Sequence, residues 1–261
     1  MLLAVDVGNT QTHLGVFDGV ELYEEWRAST DQSRTADELA LMFGEFLSVA
    51  DLSFSRQITG VAIASVVPRA TQELRAMSKR YFGFEAMVLE PGVKTGIAVK
   101  IDNPREVGAD RIANSVAAHH MFPDESVVVV DFGTSTNFDV ITSRGEYLGG
   151  ALAPGIEIAS GALFQLTAQL RRVELVAPPA AIGRNTVSAL QSGIVLGTAA
   201  MVDGLVERIT QELGEARVIA TGGLAPNVVP HCRLVARVEP LLTLVGLRLI
   251  FENNTRAGNE R

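Results

Sequence analysis

The stretch Val127-Val128-Val129-Val130-Asp131-Phe132-Gly133-Thr134-Ser135 decides the fold of this chain. Four β-branched residues in succession are typical of a strand that is buried on both faces. The strand then runs into a carboxylate, a glycine and two hydroxyl groups, which suit a metal ion or phosphate oxygens. An Asp-initiated turn is also common where a strand simply ends, so this stretch alone leaves a binding site and a plain turn equally open.

A second copy of the pattern begins the chain, where Met1-Leu2-Leu3-Ala4-Val5-Asp6-Val7-Gly8-Asn9-Thr10 again runs an apolar strand into Asp-x-Gly. Each copy is followed by a strand, a tight turn and another strand: Thr12 to Phe17, Asp18-Gly19 and Val20 to Trp26, then Asn137 to Thr142, Arg144-Gly145 and Glu146 to Leu148. Asp-Gly is a strong hairpin signal. The repeat predicts two lobes of one fold, each offering a carboxylate to a shared cleft.

Helices and strands alternate along the rest of the chain, which predicts the α/β class with lobes at residues 1–118 and 119–261. Thr35 and Glu38 have capping-box spacing before the first helix. The predicted helices are Ala36–Val49, Arg69–Tyr81, Gly108–His120, Pro154–Leu170, Thr186–Leu213 with a break near Gly193 to Gly197, and Pro240–Glu252. The further predicted strands are Ile58–Val67, Ala86–Leu89, Ile97–Ile101, Arg217–Ala220 and Leu234–Val238, with a frayed tail from Asn253.

The composition excludes several classes of protein. A net charge of −8 with only three lysines argues against a nucleic-acid-binding surface. The single Cys232 excludes an intrachain disulfide and fits a reducing compartment. We expect no signal peptide, because Asp6 interrupts the first apolar run, and no stretch of about 18 apolar residues for a membrane span. These observations predict a cytoplasmic protein with no membrane or nucleic-acid partner.

Familiar catalytic motifs are absent from the sequence, which has no P-loop, no Gly-x-Gly-x-x-Gly after a strand, no Gly-x-Ser-x-Gly and no His-Glu-x-x-His. His119 and His120 are typical of ordinary helix-end residues. What remains is a pair of carboxylates, Asp6 and Asp131, beside hydroxyl-rich turns. A third turn, Thr221-Gly222-Gly223, lets a base or ribose approach the backbone closely, although it could also simply lead into a helix. Together they indicate a nucleotide site without a P-loop.

Six stretches occur in the order found in the type III pantothenate kinase family, which the chain resembles from residue 1 to about residue 252. They are Asp6-Val7-Gly8-Asn9-Thr10, Gly108-Ala109-Asp110-Arg111, Asp131-Phe132-Gly133-Thr134, Gly149-Gly150-Ala151-Leu152-Ala153-Pro154-Gly155, Gly183-Arg184-Asn185-Thr186 and Thr221-Gly222-Gly223. The resemblance implies two ribonuclease-H-like lobes of the actin-like ATPase class with a cleft between them, and a homodimer. It implies ATP-dependent phosphorylation of pantothenate, the first step of coenzyme A synthesis, with Mg²⁺ and a monovalent cation, K⁺ or NH₄⁺.

The same resemblance implies roles for individual residues. Asp110 looks like the general base, Asp131 like the monovalent-cation ligand, and Asp6 like the ligand that holds magnesium through water. The ATP-binding residues would be Asp6, Val7, Gly8, Asn9, Thr10, Gln11, Thr12, His13, Thr134, Gly222 and Gly223. The pantothenate-binding residues would be Ile101, Gly108, Ala109, Asp110, Arg111 and Thr186, the last supplied across the dimer interface.

Structural explanations stand beside these roles. Asp110 could merely stabilise the first turn of a helix, Arg111 could lie on a solvated face, and Thr186 could be an N-cap. Two residues depart from the family pattern: Ile101 stands where an aromatic residue is common, and Asn137 where Thr is usual. The competing functions are a non-catalytic regulatory or accessory dimer of the same fold, and a related small-molecule kinase. Intact Asp6, Asp110 and Asp131 favour the active enzyme.

Overall fold

Two β-sheets organise the chain, whose computed structural model describes residues 1–54, 56–166 and 170–259, with side chains of the last helix described as far as Thr255. The first sheet contains β1 (Leu2–Val7), β2 (Gln11–Asp18), β3 (Glu21–Ser29), β4 (Gly60–Ser65) and β5 (Met87–Val88). Its strand order is β3-β2-β1-β4-β5. The second sheet contains β6 (Ala98–Val99), β7 (Val127–Phe132), β8 (Ser135–Ile141), β9 (Glu146–Pro154), β10 (Arg217–Thr221) and β11 (Arg237–Val238). Its order is β11-β10-β7-β8-β9-β6.

The duplication predicted from the two Asp-x-Gly stretches is confirmed by the strand pairing. In the first sheet, β1 pairs antiparallel with β2 and parallel with β4, and β2 continues antiparallel to β3. In the second, β7 pairs antiparallel with β8 and parallel with β10, and β8 continues antiparallel to β9. Asp6 and Asp131 therefore occupy equivalent places near the carboxyl ends of two equivalent central strands.

Eight α-helices among the described residues connect and cover the strands. They are α1 (Ala36–Val49), α2 (Pro68–Met77), α3 (Ala109–Met121), α4 (Ile156–Leu166), α5 (Thr186–Gln191), α6 (Gly197–Leu213), α7 (Ala225–Val228) and α8 (Leu242–Asn259). Short 3₁₀ turns span Pro104–Glu106 and Val229–His231, and π-helical turns span Ser78–Phe82 and Ser192–Leu196. The predicted capping box of α1 is present, since the Thr35 hydroxyl accepts from the Glu38 backbone and the Glu38 carboxylate accepts from the Thr35 backbone.

Several predicted boundaries are corrected. Strand β9 is longer than Glu146 to Leu148, because it pairs with β8 as far as Ser135 opposite Pro154. The helix expected from Pro154 to Leu170 begins at Ile156 and is described as far as Leu166, and the rest of its expected range includes residues 167–169, which lie outside the described residues. The break expected near Gly193 to Gly197 is a π-helical turn that joins α5 to α6 without interruption.

One expectation about membranes is also corrected. Among the described residues, the helical run Thr186–Leu213 is long and apolar enough to cross a membrane by length and composition, with a mean hydropathy of 1.5 over its most apolar window. Val195, Val202 and Val206 on this run are buried in a hydrophobic core with strands β7 and β10. Only 28% of the window is buried, so the helix also leaves much of its surface exposed.

The chain packs as two units, each with its own core. The first holds the described residues of Met1–Ile97, Asp102–Ala117 and Leu242–Arg261, and the second those of Ala98–Ile101 and Ala118–Leu241. Helix α8 therefore belongs with the N-terminal sheet, although residues 119–261 were assigned to one lobe from the sequence. The close contacts of α8 explain this placement: a Cβ on Gly246 would collide with the Ala113 backbone, and a Cβ on Gly15 would meet Leu244.

Candidate functional site

The first strand end forms a tight turn with exposed donors at its tip. The backbone N–H of Gly8 donates to the Gln11 carbonyl oxygen at 3.0 Å, which closes the turn between β1 and β2. Asn9 and Thr10 at the tip are exposed. The turn is braced from the end of β3, because the Thr30 N–H donates to the Thr10 carbonyl at 3.0 Å. A braced turn with exposed N–H, amide and hydroxyl groups can bind phosphate oxygens.

Strand register brings His13 beside Asp6. The two residues are directly opposite in the β1–β2 pair, so their side chains lie on the same face of the sheet. The Nε2 atom of His13 is 2.6 Å from Oε2 of Glu25 on β3. Burial lowers the pKa of His13, although the hydrogen bond to Glu25 opposes this effect, and the charge of nearby Arg27 lowers it further. His13, for which the sequence predicts a role in binding ATP, therefore has a buried ring that is held by its hydrogen bond to Glu25.

Asp110 lies in the first turn of α3, in the same unit as Asp6. Its carboxylate Oδ1 accepts a hydrogen bond from the Arg111 N–H at 2.9 Å. Gly108 lies against this carboxylate on one side and near Val66, which directly follows β4, on the other. Strand β4 is parallel to β1, and Ala64 of β4 pairs with Asp6. Asp110 therefore lies near the carboxyl ends of these two strands, where Asp6 lies.

The pKa of Asp110 is raised above its usual range by burial of the carboxyl group. The Arg111 N–H, the Arg111 charge and the N–H of Asp110 itself oppose that shift. A merely capping carboxylate at a helix N-terminus would have a lowered pKa, because the helix end favours the charged form. A raised pKa instead suits a group that takes up a proton during a reaction.

Asp131 is surrounded by glycines and oxygen atoms at the end of β7. It pairs with Thr221 of β10, and Gly222 follows with φ of +91°. A Cβ on Gly222 would lie 2.6 Å from Oδ1 of Asp131 and 2.5 Å from the Phe132 carbonyl oxygen. Glycine at this position therefore lets the turn after β10 pass in direct contact with a carboxylate and a backbone carbonyl, and such hard oxygen atoms are the ligands that alkali and alkaline-earth cations prefer.

The turn after Asp131 resembles the one after Asp6. The Gly133 N–H donates to the Ser135 carbonyl at 3.0 Å, and Thr134 at the tip is exposed. The Gly155 N–H, just before α4, donates to the Thr134 carbonyl at 3.2 Å. A Cβ on Gly155 would collide with this turn, which explains a glycine there. Asn137, which departs from the family pattern, lies directly opposite Asp131 and accepts from the Ser135 hydroxyl at 2.8 Å.

Two expected substrate residues lie in the second unit. Ile101 is half-buried, and its Cγ2 atom would be 3.3 Å from a Cβ on Gly149. Thr186 is exposed at the start of α5, but the N-cap of that helix is Asn185, whose side chain accepts from the Ser188 N–H at 2.9 Å. The N-cap explanation of Thr186 is therefore wrong, and its hydroxyl is not the cap.

The described residues fit the two expected cations differently. No group of three or more His, Cys, Asp or Glu side chains in the described part of the chain could hold a metal ion. The Mg²⁺ expected at Asp6 does not require such a group, because Mg²⁺ is usually held by one or two carboxylates together with substrate phosphates and water. The Asp131 carboxylate and the Phe132 carbonyl oxygen beside Gly222 are oxygen atoms of the kind that the expected monovalent cation takes as ligands.

Glu25 is the functional candidate that sequence reasoning missed. Part of this arrangement could have been predicted from the sequence. A two-residue turn at Asn9-Thr10 fixes the β1–β2 register, which places His13 opposite Asp6. The next pairing, β2 with β3, shifts register at Val16/Phe17, so the neighbour of His13 could not be counted from the Asp18-Gly19 turn.

Comparisons with known proteins agree with this geometry. The family model of type III pantothenate kinase matches residues 2–208. A type III pantothenate kinase of Frankia alni is 55% identical over 256 residues, covering 97% of this chain and 100% of that protein. Among solved structures, a conserved Baf family protein of Campylobacter jejuni has a TM-score of 0.62 at 17% identity, covering 97% of this chain and 99% of that one. A ROK hexokinase of Thermus thermophilus has a TM-score of 0.52 at 15% identity, with 98% and 99% covered. These two likenesses, both under 25% identity, show the fold alone, and they agree with the two-lobed α/β fold predicted from the sequence.

Proposed function

This chain belongs to the type III pantothenate kinase family, and we propose that Asp110 is the general base with which it phosphorylates pantothenate. The activity is ATP-dependent phosphorylation of pantothenate, the first step of coenzyme A biosynthesis, with a divalent metal accompanying the nucleotide. The observation that carries the role of Asp110 is its place in the first turn of α3, next to the residue that follows β4 and so near the end of β1 that holds Asp6. Burial, which raises its pKa, is consistent with that role. The three aspartates and their glycine neighbours are those that an active kinase needs, which argues against an accessory protein.

The reaction needs little covalent chemistry from the protein, because phosphoryl transfer depends mainly on positioning and on neutralising charge. Asp110 takes the proton of the primary hydroxyl group of pantothenate as the alcohol oxygen bonds to the γ-phosphorus. The bond from that phosphorus to the β–γ bridging oxygen breaks, and ADP leaves. Gly108, Ala109 and Arg111 contact pantothenate, with the guanidinium of Arg111 suited to the anionic substrate. Ile101 is a further contact, and Thr186 contacts the pantothenate of the partner subunit.

The phosphates of ATP bind at the turn from Asp6 to His13, supported by the exposed tip of Asn9 and Thr10 and the brace from Thr30. Asp6 would hold magnesium, through water, and the ion would neutralise charge on the phosphates. On the second unit, Thr134 contacts phosphate, while Gly222 and Gly223 let the nucleotide approach the backbone. This assignment gives each Asp-x-Gly turn of the duplicated fold a role in binding the nucleotide.

A monovalent cation, K⁺ or NH₄⁺, binds at Asp131. Support comes from the carboxylate Oδ1 and the Phe132 carbonyl oxygen, which both lie within 2.6 Å of the place that a Cβ on Gly222 would take. Asn137 replaces the usual Thr opposite Asp131, and its side-chain oxygen is already engaged by the Ser135 hydroxyl. The cation therefore depends mainly on Asp131 and on backbone oxygens.

The functional molecule is a homodimer whose interface includes the surface around α4 and α5. Large apolar side chains are exposed there: Leu152 is 67% exposed, Ile158 51%, Leu166 86%, Ile182 85% and Val187 53%. Exposed apolar side chains in such number favour coverage by another surface, and a second copy is the partner that the family implies. Thr186 lies among them, so the same contact would bring it to the partner's pantothenate.

The compartment is the cytoplasm, where coenzyme A precursors and reducing conditions coincide. Burial raises the pKa of the Cys232 thiol to about 11, so the thiol stays protonated and unreactive. Cys232 is packed against the apolar core of the second unit. Cys232 therefore acts as a small apolar side chain in this core.

The test is a coupled assay of ADP release with pantothenate, run in K⁺ and then in Na⁺ at matched ionic strength. Turnover that requires pantothenate and falls strongly in Na⁺ supports the proposal. Turnover with another alcohol but not with pantothenate would indicate a related kinase, and no turnover with any acceptor would indicate an accessory protein. Activity that is insensitive to the cation would remove the role of Asp131.

A further inference from the structure

A hydrogen-bonded pair of side chains adjoins the first acidic strand end. His13 is 8% exposed and lies opposite Asp6 in the β1–β2 register. Its Nε2 atom is 2.6 Å from Oε2 of Glu25, a residue of the edge strand β3 whose side chain is 41% exposed. The three side chains thus form a row across three adjacent strands that begins at Asp6 and ends at solvent.

The second unit repeats this arrangement with different residues. Asn137 is 7% exposed and lies opposite Asp131 in the β7–β8 register. Its side-chain oxygen accepts a hydrogen bond from the Ser135 hydroxyl at 2.8 Å. Each acidic strand end in the duplicated fold therefore has a buried polar neighbour, and each neighbour is fixed by a third group. Groups behind a ligand-binding side chain commonly orient it in this way.

We propose that Glu25 is a positioning residue that acts through His13 on the phosphate end of the nucleotide site at Asp6. The proposal rests on the assignment of the turn from Asp6 to His13 to the phosphates of ATP. Glu25 lies on β3, outside the stretches that carry the family resemblance, and nothing about its strand position requires an acid there. Its carboxylate accepts the Nε2–H of His13, which fixes both the tautomer and the orientation of the ring.

A fixed ring limits how the neighbouring carboxylate can turn. Side chains directly opposite in an antiparallel pair have Cβ atoms about 5 Å apart, so the His13 ring and the Asp6 carboxylate are in reach of each other. Holding a binding group in its productive orientation before the ligand arrives lowers the cost of binding. Loss of Glu25 therefore leaves a ring that can rotate, and an Asp6 carboxylate less well prepared for magnesium and phosphate.

The test compares Glu25→Gln, His13→Phe, the double variant and a control, Glu21→Gln, which changes an exposed glutamate at the far end of the same strand. Binding of a non-hydrolysable Mg²⁺–ATP analogue to the full chain is measured by calorimetry, without turnover. The KM for pantothenate and the melting temperature are measured on the same proteins. His13→Gln serves as a second ring-free variant if His13→Phe does not fold.

We expect about tenfold weaker binding of the Mg²⁺–ATP analogue for Glu25→Gln, at the low end of the effect of such orienting groups. The KM for pantothenate and the melting temperature should match those of the control. In a background without the His13 ring, Glu25→Gln should have no further effect.

Unchanged nucleotide binding in Glu25→Gln would overturn the proposal, as would effects of Glu25→Gln and His13→Phe that simply multiply. Equal weakening of nucleotide and pantothenate binding would also overturn it, because that result indicates a general structural role. If the wild-type protein itself does not bind the Mg²⁺–ATP analogue, the assignment of the turn fails instead, and the two failures are thereby distinguished.

Discussion

Replacing Gly108 by alanine would place a methyl carbon against the carboxylate of Asp110. The added Cβ would lie 2.4 Å from Oδ1 of Asp110. This is about 0.6 Å closer than the 3.0 Å below which real Cβ contacts are essentially never found. The next neighbour, Cγ1 of Val66, would be 3.6 Å away, an ordinary contact. The collision is therefore confined to the end of one short side chain, which can rotate away.

A displacement of this size is small for folding and large for catalysis. Gly108 precedes α3 as its N-cap, where alanine is somewhat unfavourable, but the unfolded chain also loses freedom, and the net change in stability should be within about 1 kcal/mol. Misplacing a reacting group by about 1 Å can lower a rate about 100-fold. We therefore expect kcat to fall by roughly 10- to 100-fold.

The assay is the steady-state rate of pantothenate phosphorylation together with thermal unfolding. Gly108→Ser carries the same Cβ but restores a good N-cap, so it should lose as much activity as Gly108→Ala while keeping its stability. Gly204→Ala on α6 is the matched control, because a Cβ there meets nothing within 4 Å. Wild-type kcat in either Gly108 variant would refute the position that we assign to the base.

Four further outcomes follow from the same structure. Asp110→Asn should abolish turnover and leave the melting temperature nearly unchanged, since first-turn stabilisation by an acid is only about 0.3–1 kcal/mol; near wild-type rates would remove Asp110 as the base. Because Asp110 must be ionised to accept a proton and burial raises its pKa, kcat/KM should fall with decreasing pH at a midpoint above the ordinary Asp value of about 3.9, and a flat profile through that region would contradict this. Gly222→Ala places its Cβ against Asp131, so it should raise the K⁺ concentration for half-maximal activity, and an unchanged K⁺ dependence would argue against a cation there. Asp203 is 4% exposed and accepts hydrogen bonds from the Arg233 and Leu234 N–H groups. Asp203→Ala should therefore lower the free energy of unfolding, measured by chemical denaturation, by roughly 2–4 kcal/mol. The control Glu207→Ala removes only an exposed ion pair with Arg233 and should lower it by less than about 1 kcal/mol.

Local patterns were sufficient for much of the fold. The four valines before Asp131 and the repeated Asp-x-Gly turns predict the two central strands, and the strand pairing confirms the duplication. The capping box at Thr35 places the start of α1 correctly. These features depend on neighbours within a few residues, whose preferences are expressed wherever the segment lies.

Boundaries failed where pairing or packing overrode local preference. Strand β9 continues to Pro154 because β8 is available to pair with it, although glycines at 149 and 150 argue against a strand. Asn185 rather than Thr186 caps α5, since both residue types are acceptable caps and the backbone path alone selects one. The extent of β9 was set by a paired strand, and the cap of α5 by a backbone conformation that residue type alone does not determine.

The amino-acid sequence by itself determined the two acidic strand ends and the turns that follow them, because each is encoded in a short contiguous stretch. The general-base candidate, Asp110, came from the resemblance to the family. The tertiary structure alone decided that Gly108 contacts the Asp110 carboxylate, that α8 packs with the N-terminal sheet, and that Glu25 holds His13 beside Asp6. Those contacts depend on strand register and on helices returning from distant parts of the chain. A register shift of one residue turns a side chain to the opposite face, so no local pattern could have fixed them.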